Sequence, residues 1–139
     1  MGLGGKILVM DPTSGTFNEK FLELTKEKAN GIVGASRFVA SIPTPAAKKF
    51  TEDYRARYDM DPEKYAQAGY DCAKMIAQAI DTANSTDREA VRSALAAIQY
   101  EGPQGKATFD ANNQLQISEY IVMAQDGQIV VVAGPISGE

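Results

Sequence analysis

The chain has no histidine and no tryptophan, and its 139 residues include a single cysteine, Cys72. Without histidine it lacks the commonest general base and the commonest transition-metal ligand. One thiol excludes an internal disulfide and a thiolate-rich zinc site. No metal, cofactor or catalytic triad is therefore expected. No run reaches the roughly 18 to 20 consecutive apolar residues of a membrane helix. The opening Met1-Gly2-Leu3-Gly4-Gly5 lacks the basic segment and apolar core of a secretory leader. Basic excess is missing too: 14 basic against 18 acidic residues leave a formal charge of -4, with the signs alternating along the helical stretches. That pattern makes nucleic acid an unsuitable partner. There is no internal repeat and no low-complexity linker. What remains, 44% hydrophobic and 23% charged residues, is the profile of one ordinary globular unit.

The run Lys6 to Met10, ended by Asp11-Pro12, reads as a strand buried on both faces of a parallel sheet. After the polar loop Asp11 to Thr16, the spacing of Phe17, Phe21, Leu24 and Lys28 predicts a helix over about 18–29, stopped by Asn30-Gly31. Gly31 to Ala40 reads as a second extended segment. Thr44 as N-cap and Pro45 at the first helical position open a helix to Tyr58, with Ala47, Phe50, Tyr54 and Tyr58 on one side. Asp61-Pro62 starts the longest helix, to about Ala83, whose inner side is expected to be Ala66, Gly69, Tyr70, Ala73, Ile76 and Ile80. Thr86 and Glu89 form a capping box for a further helix to about Ile98, with Val91, Ala94, Leu95 and Ile98 inward. From about residue 100 turn signals alternate with short β-rich runs, which predicts an antiparallel meander closed by a hairpin at Asp126-Gly127. The fold class expected is α/β, a parallel sheet with flanking helices plus this C-terminal meander.

Two stretches carry a family likeness. The helix from Ala66 to Ile80, with Tyr70-Asp71-Cys72, resembles the Tyr-Asp-Ala helix of type I periplasmic binding proteins of the Leu/Ile/Val group, cysteine standing where alanine is usual. Tyr100 to Asp110, followed by Asn113-Gln114 and Asp126-Gly127, is similar to that family's F-x-G-x-x-G-x-x-F-D-x-N-G-Q segment and final strands. Here Tyr100 replaces the Phe and Asn113 the Gly. The helix ending at Tyr58 before Asp61-Pro62, and the stretch from Gly2-Leu3 to the exit Ala29-Asn30-Gly31, extend the resemblance over nearly the whole chain. It implies the C-terminal part of a longer, two-lobed protein that binds its ligand in an interlobe cleft. On that basis the chain is truncated, with residues 1–30 from one lobe, 40–100 the helical part of the other and 100–139 the meander. It also implies a non-enzymatic periplasmic carrier of branched-chain or related amino acids, partnered by an ABC permease. Exposed sheet edges would then need cover, such as pairing with a second copy of the chain.

A ligand ammonium needs a carboxylate, and a ligand carboxylate needs hydroxyl or backbone donors; open α/β sheets place such groups in the loop after a parallel strand. The loop Asp11 to Thr16 has that position. The resemblance puts an acidic ammonium-binding residue there, and Asp11 is its only acid, with Thr13, Ser14 and Thr16 as hydroxyl donors. The plainer alternative is that Asp11 and Thr16 only cap the loop and helix. The resemblance also sets an aromatic residue against the ligand side chain at the start of the Tyr-Asp-Ala helix, here Tyr65 with Gln67 nearby; Tyr65 as an ordinary core ring is the alternative. Tyr70 and Asp71 are expected to be structural, the ring on the sheet and the acid in a local hydrogen bond. Cys72 is expected to be a buried, inert thiol. Gly2 to Gly5 precede a strand, whereas a phosphate cradle must follow one. Ile7 to Thr16 superficially resembles a phosphoaspartate phosphatase strand but lacks the second acid.

Three functions compete. A solute-binding module predicts stabilisation by a free amino acid and no turnover. A small flavodoxin-like domain would instead hold a nucleotide or phosphate in the Asp11 to Thr16 loop. A ligand-free regulatory or assembly domain of the same fold would act through segments outside this sequence.

Overall fold

The computed structural model describes residues 7–13, 15 and 17–137. Two sheets and four helices make up this part of the chain. Strand β1 (Met10–Asp11) pairs parallel with β2 (Val33–Ser36), and β2 pairs antiparallel with β6 (Glu119–Gln125), which in turn carries β7 (Gln128–Ile136). The sheet order is thus β1-β2-β6-β7. A second sheet holds β3 (Tyr100–Gly102), β4 (Gly105–Phe109) and β5 (Leu115–Ile117), all antiparallel. The helices are α1 (Glu19–Thr25), α2 (Pro45–Tyr58), α3 (Lys64–Ala83) and α4 (Arg88–Ala96). No helix among the described residues is long and apolar enough to cross a membrane.

Where local chemistry dictates the backbone, expectation and structure agree. The Thr44 side chain accepts from the Ala47 amide and Pro45 begins α2, which runs to Tyr58. Asp126 and Gly127 both have positive φ, 51° and 74°, the pair a two-residue hairpin turn requires. Asn113 has φ 59°, so asparagine fills the left-handed position where the related segment carries glycine.

Elsewhere tertiary pairing overrides the pattern. The first strand is only Met10–Asp11, and Ile7, Leu8, Val9 and Met10 are exposed rather than buried on both faces, because β1 is an edge strand with one neighbour, β2. Lys6 lies outside the described residues. The first helix ends at Thr25 and tightens into a 3₁₀ turn, Lys26–Ala29. Leu22 fills the core while Leu24 is 72% exposed. The second extended segment narrows to Val33–Ser36. Helix α3 begins at Lys64, two residues after Pro62, and its buried line is Gln67, Asp71, Met75 and Ala79. Tyr70 and Ile76 are exposed, and the Tyr70 ring meets Phe50 of α2 at 4.9 Å instead of a sheet. Asp87, not Thr86, caps α4, accepting from the Glu89 and Ala90 amides, and α4 ends at Ala96. The final strands are not one meander: after Ile117 the chain leaves the small sheet and Glu119–Gln125 joins the large one beside β2.

Two cores result. The larger joins Phe17, Leu22, Phe38, Ile42, Ala47 and Phe50 to the inward residues of β6, Tyr120, Val122 and Ala124. The smaller packs Met75 of α3 against Ile98 and Ala107, with Tyr100 and Ile117 at its edge. Gly34 allows the crossing at the large sheet, since a Cβ there would overlap the Asp11 carbonyl oxygen and the Phe17 ring.

Among the described residues one buried side-chain polar atom lacks a partner: Thr51 of α2 is 2% exposed and its Oγ1 makes no hydrogen bond. Replacing that hydroxyl by a methyl removes an unpaid desolvation cost at unchanged shape, so Thr51→Val is expected to raise stability by about 1 kcal/mol. A higher urea midpoint with the same denaturant slope would show it.

Candidate functional site

Helix α3 crosses the mouth between the two sheets, and a cavity of about 410 Å³ opens along it. One wall comes from the large sheet and its loops: Pro12 and Thr13 after β1, Ala35 to Arg37 at the end of β2, and Glu119 of β6. The opposite wall is Gln104, Leu115 and Ile117 from the small sheet. The α3 side is built by Lys64, Tyr65, Gln67, Ala68, Asp71, Cys72 and Met75.

A buried carboxylate holds these walls in register. Asp71 is 1% exposed. Its Oδ1 accepts the Tyr100 hydroxyl at 2.6 Å, its Oδ2 accepts the Gln67 amide, and the Gln104 backbone N–H adds a third bond. Gly102 makes the approach feasible, because a Cβ there would lie 2.5 Å from both Asp71 Oδ1 and the Tyr100 hydroxyl. Burial pushes the Asp71 carboxyl above its ordinary value, against the opposing pull of Tyr100, Gln67 and Gln104. The Tyr100 hydroxyl is raised by burial and by the adjacent Asp71.

Of the residues singled out as ligand-binding candidates, Thr13, Tyr65 and Gln67 line this one cavity. Tyr65 is 75% exposed, which rules out its role as a core ring, and Lys64 Nζ stands 5.2 Å from its centroid. Asp11 is turned into its own loop, Oδ1 accepting from the Thr13 amide at 2.9 Å and the Thr13 hydroxyl at 2.6 Å, and it does not line the cavity. Ser14 and Thr16 lie outside the described residues. Asp71 makes the local hydrogen bond expected of it, with Gln67 one turn earlier in α3, and a second with Tyr100 from another element. Cys72 is exposed on the cavity side of α3, not buried, because the buried line of that helix falls on Asp71 and Met75.

Sequence reasoning missed Arg37, Glu119 and Gln104. Arg37 Nε and Glu119 Oε1 are 3.3 Å apart in a largely solvated pair, a geometry that contributes little to stability. Nothing in the local pattern marks them. A second hollow, about 270 Å³, lies between α1, the β6–β7 turn and the start of α3. There Arg55 and Asp61 satisfy each other in a two-pronged ion pair, leaving less for a ligand.

With this geometry in view, similar proteins identify the class. A leucine-binding protein from Thermotoga maritima superposes with a TM-score of 0.79 at 25% identity, over 94% of this chain and 38% of that one. The branched-chain amino acid transporter substrate-binding protein of Streptococcus pneumoniae, solved with isoleucine, gives a TM-score of 0.78 at 26% identity over the same shares. The fold is that of type I periplasmic binding proteins, in agreement with the α/β class expected. The family model for periplasmic binding proteins matches residues 1–128, and the chain belongs to that family. Leu/Ile/Val-binding protein homolog 7 of Brucella abortus is 34% identical over 97 residues, 64% of this chain and 24% of that protein. The chain therefore spans about a quarter of the length of the curated relatives it matches.

Two outcomes are expected at the Asp71 cluster. Gly102→Ala should lower stability by about 1 to 3 kcal/mol through forced displacement of Tyr100 and Asp71, read as a drop in the urea midpoint. A carboxyl raised on folding keeps its proton where the unfolded chain has released it. Its contribution is thus fullest below the ordinary value of 3.8 and is lost as pH rises through the raised one. The stability of the wild type minus that of Asp71→Asn should accordingly fall as pH increases from about 4, and a flat or rising difference would contradict this.

Proposed function

We propose that this chain supplies part of the ligand-binding cleft of an extracytoplasmic amino-acid-binding protein that delivers branched-chain or related amino acids to an ABC permease, by binding and not by turnover. The observation that carries this reading is the meeting of Thr13 with Tyr65 and Gln67 of α3, about fifty residues further along the chain, around one cavity with polar and apolar walls. The Thr13 hydroxyl, at the carboxyl end of a parallel strand, gives its proton to Asp11 and so can only accept, as from a ligand ammonium, while Tyr65 offers an exposed ring for an apolar group. In this reading Asp11 orders the loop through Thr13 and attracts the ligand ammonium from behind it, while the Ser14 hydroxyl adds to the same loop. The similar Leu/Ile/Val-binding protein homologue of Brucella, leucine-binding protein of Thermotoga and isoleucine-bound protein of Streptococcus support the ligand class. The lobe division, with residues 1–30 in one lobe and most of 40–139 in the other, is part of the same proposal. So is cover for the exposed run Ile7 to Met10 at the edge of the large sheet by pairing with a second copy.

The flavodoxin-like alternative fits less well. Such a domain needs a mainly parallel sheet, whereas among the described residues only β1 and β2 run parallel, and the helix after the loop has just seven residues.

Titrating the isotope-labelled chain with free amino acids to millimolar concentration tests the proposal. Amide shifts are expected to move at Thr13, Tyr65 and Gln67, with Tyr65→Ala weakening the response about tenfold, the equivalent of about 1.4 kcal/mol. Shifts confined to the Asp11 to Thr13 loop on adding phosphate or nucleotide, with none from amino acids, would sink it.

A further inference from the structure

Two exposed residues far apart in the chain, Asn30 and Asp126, hold one another by a reciprocal pair of hydrogen bonds. Asn30 Nδ2 donates to Asp126 Oδ1 at 3.2 Å, and the Asp126 backbone N–H donates to Asn30 Oδ1 at 2.9 Å. The clamp fastens the end of the 3₁₀ turn to the turn between β6 and β7. The residue after Asn30 is glycine for a backbone reason: Gly31 has φ 84°, in the left-handed region. A Cβ at Gly31 would meet nothing within 4 Å, so space is not what selects glycine there. Asn30 is the one asparagine of the sequence that precedes glycine; Asn18, Asn84, Asn112 and Asn113 precede glutamate, serine, asparagine and glutamine.

An asparagine before glycine is chemically labile, because the next residue's nitrogen can attack the side-chain carbonyl and glycine carries no side chain to obstruct it. At this position a bond would form between Gly31 N and Asn30 Cγ while the Cγ–Nδ2 bond breaks. The proton lost from Gly31 N leaves, through solvent, on the departing ammonia. Water then opens the cyclic imide at either carbonyl, giving aspartate or isoaspartate at position 30. In the closed fold every participating group is engaged: the Gly31 N–H donates to the Ala124 carbonyl at 2.9 Å, and both ends of the Asn30 carboxamide are on Asp126. The reaction therefore waits for local opening of the turn.

We propose that Asn30 is a site of spontaneous deamidation gated by Asp126, and that the reaction locks itself in: it proceeds when the β6–β7 turn releases Asn30, and its product prevents the turn from closing again. In the aspartyl product a carboxylate oxygen takes the place of Nδ2, 3.2 Å from Asp126 Oδ1, so two like charges replace a donor and an acceptor. The isoaspartyl product in addition lengthens the main chain by a methylene, which displaces Gly31 from the Ala124 carbonyl. Gly127 of the same turn lines the hollow beside α1, so that hollow is what the modification alters. Neither Asn30 nor the turn lines the cavity assigned to the amino acid, and the proposal is independent of that assignment.

The test is a time course of the chain at mildly alkaline pH, followed by peptide mapping that separates asparaginyl, aspartyl and isoaspartyl forms of each asparagine-containing peptide. It is run on the wild type and on Asp126→Gly, which keeps the backbone N–H, tolerates the positive φ of position 126 and removes only the carboxylate. Conversion at Asn30 is expected to be about tenfold faster in Asp126→Gly than in the wild type, and to exceed that at the other four asparagines in both. Equal rates at Asn30 in the two proteins overturn the gating, and a wild type that converts chiefly at another asparagine overturns the site. A second variant, Asn30→Asp, installs the aspartyl product directly and needs no waiting. It is expected to lower the urea midpoint and to move the amide signals of Asp126 and Gly127; an unchanged midpoint with unmoved turn amides overturns the self-locking step.

Discussion

A carboxylate withdrawn from water must be surrounded by donors, and in this chain the arrangement of the cavity follows from how Asp71 meets that demand. Its oxygens draw in Tyr100 from β3 and Gln67 from the preceding turn of α3, and the Gln104 amide from the β3–β4 turn completes the set. Three donors fix the long helix against the small sheet at one point. The apolar contacts of Met75 with Ile98 and Ala107 extend that attachment along the helix. Neither would suffice alone: the smaller core has few buried residues, and the buried acid without its donors would face a desolvation cost of several kcal/mol.

The same anchoring decides what α3 shows to the cavity. With Gln67, Asp71, Met75 and Ala79 turned to the protein, the residues one position further round become accessible, among them Ala68 and Cys72. Tyr65, at the first turn, projects into solvent at the rim. The large sheet arrives independently, through the pairing of β2 with β6, and contributes Thr13 and Arg37. Two separately stabilised walls therefore meet at one helix. Such a layout lets side chains on either wall vary without loosening the other.

How far the sequence foretold this depends on the range of the interaction. Thr44-Pro45 and Asp126-Gly127 were legible because capping and turn chemistry act within three or four residues. The inner face of α3 was not, because apolar spacing favoured Tyr70 and Ile76, while the residues actually buried include Gln67 and Asp71. Their burial is tolerable only through Tyr100, 29 residues away. The division of the last strands between two sheets was hidden for a similar reason, since period-two patterning in Glu119–Gln125 does not name β2 as its partner. Within the candidate site, Thr13, Tyr65 and Gln67 were reached through resemblance and loop position. Gln104 sat inside a Gly-Pro-Gln-Gly stretch that announced a turn and nothing more.

A raised carboxyl in a cavity wall often marks a general acid or base. Asp71 does not fit that role. A proton-transferring carboxyl needs an oxygen open to the reacting group, and here both oxygens are occupied by the protein's own donors at 1% exposure. The perturbation reports burial, the first of its causes, and not readiness to exchange a proton with a ligand. Thr13, Tyr65 and Gln104 line the same cavity from three different elements. Asp71 acts one step behind them: through Tyr100 and the Gln104 backbone it holds the β3–β4 turn against α3, and the wall of the cavity follows from that attachment.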